Sequence, residues 1–418
     1  MAENIERLAT DRPDRASLAV VGTCSMYFGS IRYNEMSCKV EVKAKTSIWR
    51  DKERPLDFNG LVTCVYDRLQ AQGFKGGTLK VVEAYLIEWA KDDSYHPVRE
   101  LLEKTQWDGA DRLPEVYSIL GIEEDPLSMS LVRKWLLQAI ALLHNTIETP
   151  FGGEGVLVLN GAQGAGKTSF FRHLALRPEW FLEGAAIKDS DKDTTRRAVT
   201  HWITELGELE TTMKSDVSAL KAWITSAKDS YRLPYARTDT ETPRTTSLCA
   251  TCNSDRFLVD TTGNRRYWTI PIAHPIGYER IQALDALQLW AQMYAVFTAL
   301  DAKEQQRSFR LTSSEQQQLA QRNGCYEKPI KAETECRDIL EAAEANPCIV
   351  WQVMTPTEWK EEQFVLRSYS ADQIGKALQK IGLKRVQRRV PGKASPIKGY
   401  KLPTTTAEIL PFSKEGRS

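Results

Sequence analysis

The sequence predicts an α/β fold: a phosphate-loop core of strands and helices, with a mainly helical region before it and a winged helix after it. Three observations carry that expectation. The apolar run Val156-Leu-Val-Leu159 leads into Gly161-Ala-Gln-Gly-Ala-Gly-Lys-Thr168 and then into the helix-like Ser169-Phe-Phe-Arg-His-Leu174. Further β-branched and apolar runs recur downstream at strand length. Near the C-terminus two helical stretches precede a basic strand pair around Pro391-Gly392-Lys393, the layout of a winged helix.

A chain of 418 residues is long for one domain, and two or three are expected. Hydrophobic residues at 42% and charged residues at 27% suit a soluble protein with a sizeable core. The formal net charge is only +1, so any nucleic-acid affinity must come from locally segregated charge. The opening residues resemble neither a secretory signal nor a transit peptide, and no apolar run reaches spanning length, so no membrane association is expected. Of the eight cysteines, Cys249 and Cys252 form the one close pair. No second pair stands at ligand spacing, so these read as ordinary buried thiols in a reducing cytoplasm rather than half a zinc site or a redox motif.

Taken in order, residues 1–120 form the mainly helical accessory domain. Lys39 to Ala44 alternates like a short strand, while Leu61 to Ala71 and Leu79 to Ala90 space their apolar residues as helices do. His96 precedes Pro97 at a helix start and reads as a capping or core histidine rather than a ligand. Residues 121–305 form the core with its helical collar. An apolar helix from Pro126 to Asn145 leads through the linker Pro150-Phe-Gly-Gly-Glu154 into the first strand. Residues 306–350 are a polar helical connector, 351–403 the winged helix, and 404–418 a disordered tail.

The phosphate loop needs its residue types for physical reasons. Gly161, Gly164 and Gly166 let backbone N–H groups turn inward, and Ala165 and Ser169 complete the lining. The following helix N-terminus adds partial positive charge where phosphates would sit. Lys167 supplies a full charge, and Thr168 a hydroxyl for Mg²⁺. ATP and Mg²⁺ are therefore the expected ligands. Such a site also needs acidic residues at the end of a neighbouring strand. The run Val199 to Thr204 ends in Glu205-Leu-Gly-Glu208. Glu205 is assigned to the metal and Glu208 to the attacking water. Their order stays open, because a standard acidic pair is adjacent and begins with Asp, and a glutamate-rich helix start is the alternative. Asn253, after Thr251-Cys252, is placed to hydrogen-bond the γ-phosphate or its water.

Tyr231 to Ala236 and Thr245 to Thr251 read as two arms of a hairpin around a polar turn. Its Arg237 and Arg244 either contact a nucleic-acid backbone inside a ring channel or are plain surface arginines. Arg265 and Arg266 follow a Gly-Asn turn and precede an aromatic strand. They either reach a neighbouring subunit's γ-phosphate or pair with a core carboxylate. Ile281 to Leu300 reads as one long helix. In the winged helix, Ser370 caps a helix that Gly382 stops. Lys384, Arg385, Arg388, Arg389 and Lys393 are the expected duplex contacts, with Asp372 the single acid between Ala371 and Lys401.

With these pieces placed, the sequence resembles the virulence-associated E family of ATPases, which are related to superfamily 3 helicases and to primase-helicases of phages, satellites and mobile elements. The resemblance rests on His96-Pro-Val-Arg99, Trp107-Asp-Gly109, the phosphate loop, Glu205-Leu-Gly-Glu208, Tyr231-Arg-Leu-Pro-Tyr235, Thr251-Cys-Asn253 and Gly263-Asn-Arg-Arg-Tyr-Trp268, over about residues 15 to 300. It implies an AAA+-like core and a ring, as a hexamer, that moves or unwinds DNA during replication initiation. A single strand would occupy the channel. No primase block is visible, so priming would fall to a separate protein. The same motifs would serve a DNA-bound regulatory or defence ATPase acting as a nucleotide-gated switch.

Overall fold

The computed structural model describes residues 28–44, 57–73, 78–187, 192–207, 217–232, 239–254, 256–258, 264–327, 331–346, 349–389 and 396–404. The chain divides into two compact units, residues 1–257 with 261–326 and residues 258–260 with 327–418.

The first unit begins with a small sheet that the sequence reading only half anticipates. Strand β1 (Phe28–Asn34) pairs antiparallel with β2 (Lys39–Ala44) and parallel with β3 (Ser94–Tyr95). Helices α1 (Phe58–Ala71) and α2 (Leu79–Lys91) start at the side-chain caps Asp57 and Thr78. Their buried stripes, Leu61, Val65 and Leu69 with Val82, Leu86 and Ala90, pack against Ile31 and Val40 of the sheet. Helices still make up most of the described part of this region, and β1 gives the two helical stripes the apolar partner they need.

Next come α3 (Pro97–Lys104), α4 (Leu113–Leu120) and α5 (Pro126–Leu142). His96 caps α3, its Nδ1 accepting from the Arg99 N–H at 3.5 Å, and its Nε2 faces the Thr245 hydroxyl at 3.2 Å. It is therefore cap and core at once. Asp125 caps α5, which is apolar on nearly every side and almost wholly buried.

The core is one parallel sheet of β4 (Val156–Gly161), β5 (Phe181–Ala185), β6 (Ile203–Leu206), β9 (Ser247–Cys252) and β10 (Tyr267–Ile272). Their spatial order is β10-β4-β9-β6-β5. Helices α6 (Lys167–Leu174), α7 (Lys192–Val199) and α8 (Val217–Ile224) connect the strands. The burial of β4 is continuous, as a parallel strand covered on both faces requires. Trp135, Trp290 and Trp202 form a chain of rings with successive centroids 6.4 and 4.6 Å apart, and Trp135 and Trp290 donate to the Leu248 and Leu174 carbonyls.

Three sequence expectations shift here. Val199 ends a helix, and the strand before Glu205 starts only at Ile203. The hairpin exists, but β7 (Lys228–Tyr231) pairs with β8 (Thr240–Pro243), while the run from Thr245 enters the core sheet as β9. The β-branched, apolar character that suggested a hairpin arm reflects burial between two parallel neighbours. The expected long helix is two, α9 (Tyr278–Ala283) and α10 (Ala286–Thr298), because Asp285 caps a new start. Cys249 and Cys252, read as ordinary buried thiols, are both buried, and being three apart on one strand they leave opposite faces of the sheet. Helices α11 (Ala302–Ser308) and α12 (Ser313–Gly324) complete the unit.

In the second unit α13 (Lys331–Glu344) is followed by β11 (Trp351–Met354), α14 (Pro356–Glu362), α15 (Ala371–Lys380), β12 (Val386–Arg388) and β13 (Ile397–Pro403). The strands form an antiparallel sheet in the order β11-β13-β12. Ser370 makes a capping box with Gln373, and Gly382 takes the left-handed φ of +92° just past the helix end. Trp359, Leu366, Ile374, Leu378, Tyr400 and Leu402 are the heart of its core. Strand β11 had no counterpart in the sequence reading. Residues 405–418 lie outside the described ones.

Candidate nucleotide-binding site

The site is built where β4 ends. Gly161 closes the strand with the Ile272 carbonyl so near that a Cβ would meet its oxygen at 2.5 Å. Gly164 and Gly166 take left-handed φ values of +78° and +83°. A Cβ on Gly166 would also meet the Ile276 carbonyl oxygen at 2.8 Å. Ala165 is buried, and its carbonyl accepts from the Ile276 N–H at 2.8 Å. That bond ties the loop to the chain leaving β10. Helix α6 starts at Gly166 with no side-chain cap. Its first N–H groups are left to a ligand, and Ser169 lies half-buried in that first turn.

Lys167 is 5% exposed and folds back on the loop. Its Nζ donates to Gly161 O at 2.8 Å, Ala162 O at 2.7 Å and Asn253 Oδ1 at 2.8 Å. Burial lowers its pKa, while the Glu205 carboxylate works against that. Thr168 Oγ1 donates to Glu205 Oε1 at 2.9 Å, and Thr251 Oγ1 donates to the same oxygen at 2.6 Å. Glu205 is 4% exposed, and burial raises its pKa although both hydroxyls oppose the shift. It sits on β6, with β9 between it and β4, one strand further from the loop than a direct neighbour. Asn253 follows β9, the strand beside the loop, as the sequence reading has it.

Thr251 is the member that sequence reasoning missed. The signal was present in that Thr251 lies near the end of the same strand that Asn253 follows, inside the block the sequence reading singled out. The fit to a nucleotide and its metal rests on these observations. The glycine cradle is one that Cβ atoms would fill, a lysine lies in it, and Thr168 with Glu205 offers hard oxygen donors of the kind Mg²⁺ takes.

Other expected residues fall elsewhere. Glu208, Arg237 and Lys393 lie outside the described residues. Arg244 is not available to DNA. Its side chain is 1% exposed, pairs bidentately with Asp229 (Nε to Oδ2 at 2.7 Å), and lies over the Trp223 ring at 4.3 Å. The sequence could not reveal this because the partner carboxylate is on the other hairpin strand. Arg265 is exposed and Arg266 half-buried in a short 3-10 turn, Asn264–Arg266, ahead of β10. Among the described residues neither has an ion-pair partner. Tyr267 sits opposite Val156, and Ile272 opposite Gly161. The arginine turn is therefore at the start of β4, five residues and about 17 Å from its own phosphate loop.

In the second unit Lys384 and Arg389 are exposed. Arg385 donates to the Tyr400 hydroxyl at 3.0 Å, and Arg388 pairs with Glu358 at 2.9 Å.

A glycine cradle, a buried lysine and a hydroxyl–carboxylate pair stand at one end of a parallel sheet in a mixed α/β fold. More narrowly, the chain belongs to the virulence-associated protein E-like family, whose domain model matches residues 102–328, more than half of the chain. The match begins later and ends later than the motif blocks had suggested. No curated protein matches it. Among solved structures, the apo A form of the NrS-1 C terminal region aligns with 89% of this chain and 96% of that one, at 12% identity and a TM-score of 0.42. A second structure of that region gives 92%, 98%, 13% and 0.43. A ligand-bound JCV helicase covers 65% of this chain and 82% of that one, at 9% identity and a TM-score of 0.28. At these scores the likeness carries no functional weight.

Proposed function

We propose that this chain is an ATP-driven DNA helicase or replication initiator with an AAA+-like core, working as a ring, in hexameric form, whose ATP sites lie between subunits. The observation that carries this reading is the separation within one chain. Lys167, Thr168, Glu205 and Asn253 gather at one end of β4, while Arg265 and Arg266 stand at the other, too far to serve the same phosphates. A neighbouring subunit's arginines complete the site.

In this reading Lys167 leaves the two loop carbonyls for the β- and γ-phosphates, and Asn253 is freed to orient the attacking water. Thr168 and Glu205, the latter held by Thr251, would supply the oxygens that hold the metal. Mg²⁺ bound by these oxygens supplies charge neutralisation of the phosphates. Arg265 or Arg266 from the next subunit offsets the charge that builds on the γ-phosphoryl group. Glu208 is kept as the candidate that polarises the water, and Arg237 as a contact to a single strand in the channel. Residues 351–403, a capped helix beside a three-stranded sheet with exposed Lys384, Arg389, Lys398 and Lys401, are read as a winged helix on duplex DNA.

The test is ATP hydrolysis with and without DNA, together with separation of a forked duplex. DNA-stimulated hydrolysis that Lys167→Ala abolishes, with strand separation, is expected. Hydrolysis indifferent to DNA and no separation would sink the reading. Stable ATP-dependent DNA complexes without separation would move it to a nucleotide-gated switch.

A further inference from the structure

We infer that Asn323 is a positioning residue for the arginine turn. The inference rests on the proposal that Arg265 or Arg266 acts on a neighbouring subunit's nucleotide. Asn323 lies in the last turn of α12 and is 0% exposed. Its one amide nitrogen donates to Asn264 O and to Tyr267 O, each at 2.8 Å. Those two carbonyls bracket Arg265 and Arg266, so a single side chain holds both ends of the turn. Both N–H donors of the amide are consumed, and reversing the amide would set its oxygen against two carbonyl oxygens. No other side chain type of that size offers two N–H donors from one planar nitrogen.

The clamp is itself anchored. The neighbouring Arg322 pairs with both Asp125 oxygens at 2.8 and 2.7 Å, and donates to Ser128 Oγ at 2.7 Å and Thr269 O at 3.3 Å. Asp125 is the cap of α5, and Thr269 is in β10. At the other end of α12, Glu315 binds Lys134 and Ser130 of α5. Helix α12 is thus fixed along α5 and β10, and Asn323 transmits that fixed position to the short 3-10 turn ahead of β10. Arg265 itself makes no ion pair among the described residues, so its backbone is what sets where it points. Its geometry depends on Asn323.

Subunit mixing separates positioning from folding. A Lys167→Ala chain lacks a working phosphate loop but presents intact arginines; an Arg265→Ala/Arg266→Ala chain has the reverse defect. If these two restore hydrolysis on mixing, the shared-site reading stands. An Asn323→Ala chain should then keep ATP binding, measured with a fluorescent ATP analogue, and lose hydrolysis by at least tenfold. It should be rescued by the Lys167→Ala chain and not by the double-arginine chain. Rescue by both, or by neither, overturns the inference. So does loss of ATP binding in both Asn323→Ala and Asn323→Ser, which would make the residue a folding one. If Asn323→Ala alone fails to fold, Asn323→Ser carries the same pattern with a smaller loss. Failure of the first pair to complement overturns the shared site instead, whatever Asn323 does.

Discussion

Arg244 and Arg265 look alike in the sequence and are opposites in the structure. Each precedes a core strand, β9 or β10, and each offers a cation beside a polar turn. Arg244 is sealed against Asp229 under the Trp223 ring, with both partners of the pair at 3% side-chain exposure or less. Arg265 faces solvent without an ion-pair partner among the described residues. An arginine with a buried bidentate carboxylate has spent its donors on the fold. An exposed one without such a carboxylate still has its donors open to solvent.

Exchanging the two substitutions gives the sharpest test of that contrast. Arg265→Ala with Arg266→Ala is expected to lower the hydrolysis rate by on the order of 10³–10⁵, while stability moves by about 0.5 kcal/mol or less. Arg244→Ala is expected to do the converse. It strands the Asp229 carboxylate, costs about 3–5 kcal/mol, and lowers the melting temperature by roughly 10 °C. Calorimetric melting beside single-turnover hydrolysis reads both. An Arg244→Ala chain that melts normally but no longer binds DNA would return Arg244 to the DNA side.

The contrast also shows what was legible beforehand. The strand, glycine turn and helix around residues 161–168 could be read because every feature they need is local: glycine spacing, the preceding apolar run and the following helix. The Ser370 cap and Gly382 stop were legible for the same reason. The hairpin arms were not, since a β-branched run is equally suited to a parallel core strand, and only its neighbours decide. Strand β1 was hidden because Phe28 to Asn34 lacks the strict alternation of a half-buried strand. Glu205, Asn253 and Thr168 come from three segments, and sequence reasoning could name each but could not show that Thr251 shares the Glu205 oxygen. The Asp229–Arg244 pair spans fifteen residues and two strands, and nothing local announces it.

His96 extends the comparison to a basic side chain buried without charge. It is 1% exposed, and burial, helped by Arg99 and His144, lowers its pKa to about 3. An unfolded histidine titrates near 6.5. Below that pH the unfolded chain binds a proton that the folded chain refuses, so stability falls with acidification from about pH 6.5 down to about 3. At pH 5 the loss from this residue is about 2 kcal/mol relative to pH 7. His96→Asn keeps a capping acceptor but does not titrate. Denaturant melts at pH 7 and pH 5 should therefore show the wild type losing about 2 kcal/mol more than the variant. Equal losses would mean that His96 is protonated in the folded chain.

The smallest effect belongs to the basic stretch of the second unit, where the same contrast recurs on a partly exposed surface. Arg388 already has Glu358 at 2.9 Å, with side chains 33% and 40% exposed, so its removal is expected to cost 0–1 kcal/mol of stability. Lys384 and Arg389 have no such partner among the described residues. If they neutralise phosphates, each releases counterions, and replacing either by Ala should reduce the slope of log K against log salt by about 0.9 on duplex DNA. Arg388→Ala should change that slope less, because DNA must first compete with Glu358 for the guanidinium. Titrations of a duplex from low to moderate salt give the three slopes directly. Equal decrements at all three positions would show that the Arg388–Glu358 pair opens freely, and that partial exposure, rather than an existing partner, decides which cations are available.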